Sequence, residues 1–431
     1  MSKLKFFFVF IILFGLSGFN PNAHLLCSTG ELYVGVAKKE ITPPVGIRLF
    51  GGYNRKGPSV GLHDPLNIRA LVLDHNGYRI GIISCDLIKY CNKRILDIAK
   101  EKYNISHLLI SSSHTHSGPV FGDYYSPDHD LPYARKVEAA MLEGLAEAID
   151  NKFSARISAG YKSFPQFGYN RLTNRGEARA MWRNTEMLSY GPVDPEVGVI
   201  KIEDKSGNLR VILMQYACHA VSNGINYDIS ADYPGFAAKK VEEEFGNNTI
   251  CMFIQGGAGD INPIYTSPHR KSPNDNIKTD YSQMEKIGSL LAEQVIAVAK
   301  NLTPKLREKV SLKAKCDSLK FTKRFDKNQV FNIHFTTVLI NDEIAIATFL
   351  GEPLIWNQLF WKKNAEATYP FFFGYTYSSG GDFPGYVPDI RSASYGGYGA
   401  DDDYIIQVGA AEAIMNKHLE NLYRIKGIKK D

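Results

Sequence analysis

Apolar residues along this chain fall in short runs separated by glycine, proline and asparagine, and the period of each run predicts an element. Leu32 to Ala37 predicts a strand, stopped by Thr42-Pro43-Pro44. Ile68 to Asp74 and Tyr78 to Ser84 predict a hairpin turning on His75-Asn76-Gly77. Asn92 to Tyr103 has helical spacing and leads into a buried strand at His107 to Ile110. Leu131 to Asp150 is a longer helix with Ala139, Met141, Leu142, Leu145 and Ile149 on one face. Residues 197–202 and 209–217 predict a second hairpin, Pro234 to Phe245 a helix, and Thr249 to Ile254 a strand. A polar loop at 264–280 precedes a helix at Ser282 to Ala299. Phe335 to Ile340 and Glu343 to Phe349 predict a third hairpin, and Asp403 to Ile425 a closing helix. Strands and helices interleave, so the expected class is α/β with a mixed β-sheet core and surrounding helices. The hairpins exclude a purely parallel sheet.

The polar residues that interrupt this pattern are placed selectively. His114, His219 and Glu352 each fall just past the C-terminal end of a predicted strand, as do Asp86 and Asp260. In open α/β sheets, ligands bind at that edge. The stretch Ser111-Ser112-Ser113-His114-Thr115-His116-Ser117-Gly118-Pro119 carries two imidazoles. If it stays extended, alternation turns both to one side. Singly, each of these residues reads as a polar group capping a strand end. Together, two imidazoles and a carboxylate match the ligand set of many catalytic zinc sites, and the pattern alone leaves both readings open. The chain has no HExxH and no GxxxxGK[ST] or GxGxxG before a helix, so a short metalloprotease helix and nucleotide binding are not expected. Its one GxSxG match, Gly57-Pro58-Ser59-Val60-Gly61, follows the polar run Asn54-Arg55-Lys56 rather than a strand, so a hydrolase nucleophile elbow is not expected either.

Composition changes this picture in three places. At 431 residues, 44% hydrophobic and 22% charged, the chain has the profile of a folded protein. Its formal charge of +5 is not gathered into basic blocks, so no nucleic-acid partner is expected. Lys3 and Lys5 precede the apolar run Phe6 to Leu16, too short for a membrane span and of the form of a signal peptide over residues 1–23. Ser17, Gly18 and Ala23 are candidate cleavage residues, and Cys27 lacks the small residues before it that lipid modification would need. The expectation is export to a periplasmic, surface or secreted location. Six cysteines without a CxxC make neither a disulfide lattice nor a metal site, and Cys85, Cys218 and Cys251 lie in apolar surroundings.

Several segments together resemble the neutral/alkaline non-lysosomal ceramidase family, specifically its N-terminal catalytic domain. They are Gly61-Leu62-His63-Asp64-Pro65, the His114-Thr115-His116-Ser117-Gly118-Pro119 block, Asn170-Arg171, His219 and Ile229-Ser230-Ala231-Asp232. Gly259-Asp260-Ile261-Asn262-Pro263, Gly351-Glu352 and Tyr386 to Tyr398 follow in the same order. The resemblance implies one catalytic domain over 32–425; the C-terminal immunoglobulin-like domain that follows it in the family is not expected here, which is a departure from the family. It implies a Zn2+ ion held by His114, His219, Glu352 and Tyr386. It also implies catalytic roles for His116, Arg171, Tyr395 and Tyr398, and substrate contacts at Gly52 and Asp260. The expected reaction is hydrolysis of the amide of an N-acylated lipid, ceramide to sphingosine and fatty acid, with peripheral membrane contact. One position departs from the family: Asn262 stands where the family carries a serine, and an amide cannot serve as a nucleophile. That leaves hydrolysis by zinc-activated water, a zinc amidase for another substrate such as a glycan, or a silent lipid- or sugar-binding protein.

Overall fold

A computed structural model of the chain describes residues 30–50, 55–119, 131–164, 167–172, 186–189, 191–246, 248–304, 310–400 and 406–429. Among them, nine strands form one sheet in the order Ile250–Gln255, Leu209–Tyr216, Glu196–Asp204, Phe153–Ser163, Tyr33–Glu40, Asn67–His75, Tyr78–Cys85, Ile105–Ser112 and Thr376–Ser378. Two neighbouring pairs are parallel, Ile250–Gln255 with Leu209–Tyr216 and Tyr78–Cys85 with Ile105–Ser112; the others are antiparallel. A second sheet orders Leu312–Thr322, Val330–Ile340, Ile344–Thr348 and Tyr369–Phe373, with its last pair parallel. The mixed sheet expected from the hairpins is present.

Alternation along the strands builds the layers. Leu71, Leu73, Ile80, Ile82 and Leu109 of the large sheet pack against Val338, Ile340, Ile344, Ile346, Phe371 and Phe373 of the small one. The intervening residues Ile68, Ala70, Val72, Ile83 and Ile110 face helices α1 (Lys93–Tyr103) and α2 (Leu131–Asp150). Farther along the same face, Val197, Val199, Ile212, Met214, Cys251 and Phe253 receive α3 (Asp232–Phe245) and α4 (Tyr281–Asn301). The outer face of the small sheet is covered by α5 (Ile355–Asn364) and α7 (Ala410–Ile425), and a short α6 spans Ile390–Tyr395. The result is helix, sheet, sheet, helix, each large aliphatic side chain in the two-sheet core contributing roughly 1.5–3 kcal/mol of burial.

The first hairpin turns on Asn76 and Gly77, both with positive φ (52° and 82°), as a two-residue type I′ turn requires. Three expectations are corrected. The strand Ile105–Ser112 ends before the histidines, and His114 sits at φ 63°, so the block is a turn and not an extended segment. The closing helix begins at Ala410, because Gly409 at φ 94° precedes it and Ile406 is held in a bridge to Lys323; residues 403–405 lie outside the described residues. The strands Phe153–Ser163 and Leu312–Thr322 and the helix α5 were not expected: the alternation of Phe153, Ala155, Ile157, Ala159 and Tyr161 is carried partly by small residues, the apolar residues of Leu312–Thr322 change face midway, and α5 buries the polar Asn357 and Gln358. Gly52 and the leader at 1–23 also lie outside the described residues. The loop 264–280 contains no helix or strand; Ser267 N–H and Arg270 N–H bond to the carbonyls of Ser222 and Ile225.

Candidate metal centre

His114 is aimed by the turn that follows its strand. Its N–H donates to Leu87 O (3.0 Å), and its Nδ1 lies 2.7 Å from Ile88 O. A carbonyl oxygen only accepts, so Nδ1 carries the proton and Nε2 presents a lone pair. His219 repeats the arrangement after the strand Leu209–Tyr216, with its N–H on Ile261 O (2.9 Å) and Nδ1 2.6 Å from Ala258 O. That carbonyl comes from the loop Gly256-Gly257-Ala258-Gly259. Here the glycines serve close approach, since a Cβ on Gly259 would fall 2.7 Å from Glu352 O. Glu352 follows Gly351, at φ 112°, and its short strand Glu352–Pro353 runs parallel to Tyr386–Val387 with Glu352 opposite Tyr386.

These turns bring the groups to one point. The ring nitrogens of His114, His116 and His219 lie within 4.8 Å of one another and could hold a metal ion. Glu352 Oε2 lies 3.3 Å from His114 Nε2 and 3.5 Å from His219 Nε2. A charge-assisted hydrogen bond would be about 2.7–2.9 Å, so these groups face across a gap. His116 Nε2, His219 Nε2 and Glu352 Oε2 are buried without a hydrogen-bond partner. Each such orphan costs about 1–3 kcal/mol. Burial, aided by the nearby Arg171 charge, pushes His219 down to about 4, and burial with the two neighbouring imidazoles holds His116 well below the ordinary histidine value. Burial opposes ionisation of Glu352, but the facing His114 and His219 outweigh it and hold that carboxyl well below its usual range. Bare imidazole nitrogens converging on a buried carboxylate fit a divalent cation such as zinc.

A second group of predicted residues forms the adjoining wall. Arg171 donates from Nη2 to Tyr386 OH (3.0 Å) and Gly259 O (2.6 Å), and from Nη1 to Asn262 Oδ1 (3.0 Å). Its guanidinium lies 4.7 Å from the centre of the Tyr398 ring, and Tyr386 and Tyr398 are 5.6 Å apart. Asp260 is turned towards the fold. Its carboxylate accepts from Ile355 N–H at the start of α5 and from Asn170 Nδ2 (both 2.7 Å), and its carbonyl accepts from Arg171 N–H (2.8 Å). Burial pushes its pKa up to about 7. Tyr395 is not brought to the imidazoles: it is half exposed, beside Arg391, on a cavity of ≈ 170 Å³ that Asp260 and Trp356 also line. Asp86 is paired with the buried Arg69 (3.1 Å) and supports the strand ends from within.

One residue at the centre was missed in the sequence. Tyr375 is 3% exposed, has φ 53°, and its ring centre lies 4.4 Å from that of His114. It follows Phe371-Phe372-Phe373-Gly374, so its surroundings read as plain aromatic core, and only its hydroxyl distinguishes it.

The profile of the neutral/alkaline non-lysosomal ceramidase family, N-terminal part, matches residues 32–293, and the chain belongs to that family. Neutral ceramidase of Pseudomonas aeruginosa is 24% identical over 261 residues, 56% of this chain and 38% of that protein. Neutral ceramidase A of Dictyostelium discoideum is 27% identical over 277 residues, 57% of this chain and 38% of that one. The chain thus spans little over a third of the length of these curated relatives. The crystal structure of the Pseudomonas aeruginosa neutral ceramidase superposes with a TM-score of 0.72 at 14% identity, covering 94% of this chain and 76% of that chain. At that identity the likeness concerns the fold, which is the mixed α/β architecture described above.

Proposed function

We propose that this protein is an exported, zinc-dependent amidohydrolase that cleaves the amide of an N-acylated lipid of the ceramide type. The observation that carries the reading is the set of buried orphan atoms on His116, His219 and Glu352, facing one another beside His114 in a chain of the ceramidase family. Two imidazoles anchored through Nδ1 and an ionised carboxylate would hold the ion, with Tyr386 as a further ligand from the strand that pairs with Glu352. Zinc bound there would polarise the amide carbonyl and acidify water.

The chain's own residues supply the remaining chemistry. Arg171 is held by three acceptors, so its position is fixed before substrate arrives. It and Tyr398 beside it would stabilise negative charge on the carbonyl oxygen. His116 lacks an Nε2 partner and is neutral near pH 7, as needed to take a proton from water and pass it to the leaving amine. Asn262 accepts from Arg171, which orients its Nδ2 as a donor; with no serine there, water is the attacking group. Export rests on the leader alone; among the described residues no helix is long and apolar enough to cross a membrane.

The departure at Asn262 favours a second substrate class, an N-acylated glycan or another lipid amide. A hydrolysis screen of ceramides, other N-acyl lipids and N-acetylated sugars, with and without a zinc chelator, tests both. Chelator-sensitive release of fatty acid from ceramide supports the first reading, and chelator-sensitive cleavage of another amide alone supports the second. Zinc uptake without cleavage of any amide would reduce the protein to a binder.

A further inference from the structure

Of His114, His219 and Glu352, which face one another, two are held from behind and one is not. His114 and His219 each give Nδ1–H to a backbone carbonyl. Such outer contacts fix a ligand's orientation, and metal-bound carboxylates ordinarily have them too. Glu352 does not: among the described residues, apart from the imidazoles it faces at 3.3 and 3.5 Å, no donor reaches its carboxylate, and Oε2 is orphaned.

Packed on the same imidazoles is a donor with nothing to bond. The Tyr375 hydroxyl is buried without a partner. Its ring is tilted at 42° on His114 at 4.4 Å and stands edge-on to His219 at 6.2 Å, so the phenol packs against the two rings that Glu352 faces. Among the groups whose charge the phenol feels, Glu352 acts first, ahead of Tyr386 and Arg171. A buried hydroxyl left unpaired costs about 1–3 kcal/mol. Phe371, Phe372 and Phe373 lie just before Gly374, and a fourth phenylalanine in place of Tyr375 would keep the packing without that penalty. The chain also holds this residue at φ 53°, which for a bulky side chain costs about 1–2 kcal/mol. Both penalties fall on a residue whose only polar atom is unused by the fold.

We propose that Tyr375 is a positioning residue of the metal centre, donating its hydroxyl proton to the Glu352 carboxylate and fixing that ligand when a divalent cation is held by His114, His219 and Glu352. The proposal rests on the metal-dependent reading given above. It completes the pattern, since each of the three facing ligands then has one outer partner.

The test is zinc affinity of Tyr375→Phe, measured by competition with a chromophoric chelator, together with the melting temperature of the metal-free protein and the cobalt(II) absorption spectrum. Tyr377→Phe, a buried tyrosine against Tyr90 on the next strand, is the control. Removing the Tyr375 hydroxyl is expected to weaken zinc binding about 10–100-fold and to shift the cobalt bands. The metal-free variant should melt at or above the wild-type temperature, because an orphaned group has been removed. Zinc affinity and cobalt bands equal to wild type overturn the assignment. A metal-free variant that melts well below wild type overturns it as well, by showing the hydroxyl bonded within the fold. If wild-type protein takes up no zinc, the metal reading fails and this inference with it; if wild type binds and Tyr375→Phe binds equally, only this inference fails.

Discussion

Arg171 is the residue at which the site's hydrogen bonds meet. Its planar fork reaches Gly259 O, Tyr386 OH and Asn262 Oδ1 at once, a geometry that a single ammonium cannot reproduce. Arg171→Lys is expected to lower kcat about 100–1000-fold, roughly 3–4 kcal/mol of lost oxyanion stabilisation, with zinc affinity changed by less than about threefold. Steady-state kinetics beside a zinc titration checks this, and loss of zinc in the variant would show that Arg171 acts on the metal instead. The places of His114, His219 and Glu352 past the ends of apolar runs were legible in the sequence, whereas Arg171 was singled out only by the family resemblance. The convergence of His114 and His116 was anticipated for the wrong reason: the rings meet at 5.0 Å through a turn with His114 at φ 63°, where strand alternation was expected to align them. Tyr375 was not legible, because its place depends on a left-handed residue between two strands and the segment Phe371 to Tyr377 reads as aromatic core.

Elements carry two further expectations. The loop Gly256–Gly259 lies so close to the strand Glu352–Pro353 that a methyl group at Gly259 would fall 2.7 Å from one carbonyl and 2.9 Å from the next. Gly259→Ala should therefore move the loop, displace Ala258 O from His219, and weaken zinc binding at least tenfold. Unchanged affinity in a zinc titration would mean that the loop has room to adjust. In α7, His418 is fully buried between Thr337 Oγ1 (2.8 Å) and Thr348 O (2.9 Å), and burial pushes it down to about 4. The folded value lies below the unfolded one near 6.5, so the folded state binds fewer protons between them. The stability this neutral ring contributes is whole above pH 6.5 and is lost as pH falls through about 4, at most about 3 kcal/mol. His418→Gln should flatten the dependence of melting temperature on pH across that window, and an unaltered slope would contradict it. Hairpins with an Asn-Gly turn and one-faced helices were readable from spacing. The strand Leu312–Thr322 was not, because its apolar residues change face midway: Leu312 and Ala314 join the two-sheet core, whereas Leu319 and Phe321 pack in the outer cluster with α7.

At the scale of the molecule, the two sheets converge on one centre. His114 and His219 follow strands of the large sheet, Glu352 follows Ile344–Thr348 of the small one, and Tyr386 is paired with Glu352. A cation held there bridges both layers, so metal binding is expected to stabilise the whole fold. At a free zinc concentration 100-fold above Kd the gain is about 2.7 kcal/mol, visible as a rise of a few degrees in melting temperature that a chelator reverses. The sequence foretold the class of fold, but the meeting of two sheets depends on packing between strands far apart in the chain. The central claim is that His114, His219 and Glu352 hold a catalytic zinc ion. Its most direct measurement is the metal content per chain of purified wild-type protein and of His219→Ala after equilibration with zinc and removal of excess. The account predicts one tightly held zinc ion per wild-type chain and none in a folded His219→Ala. Wild-type protein without stoichiometric zinc, or a variant that retains it, would contradict the account.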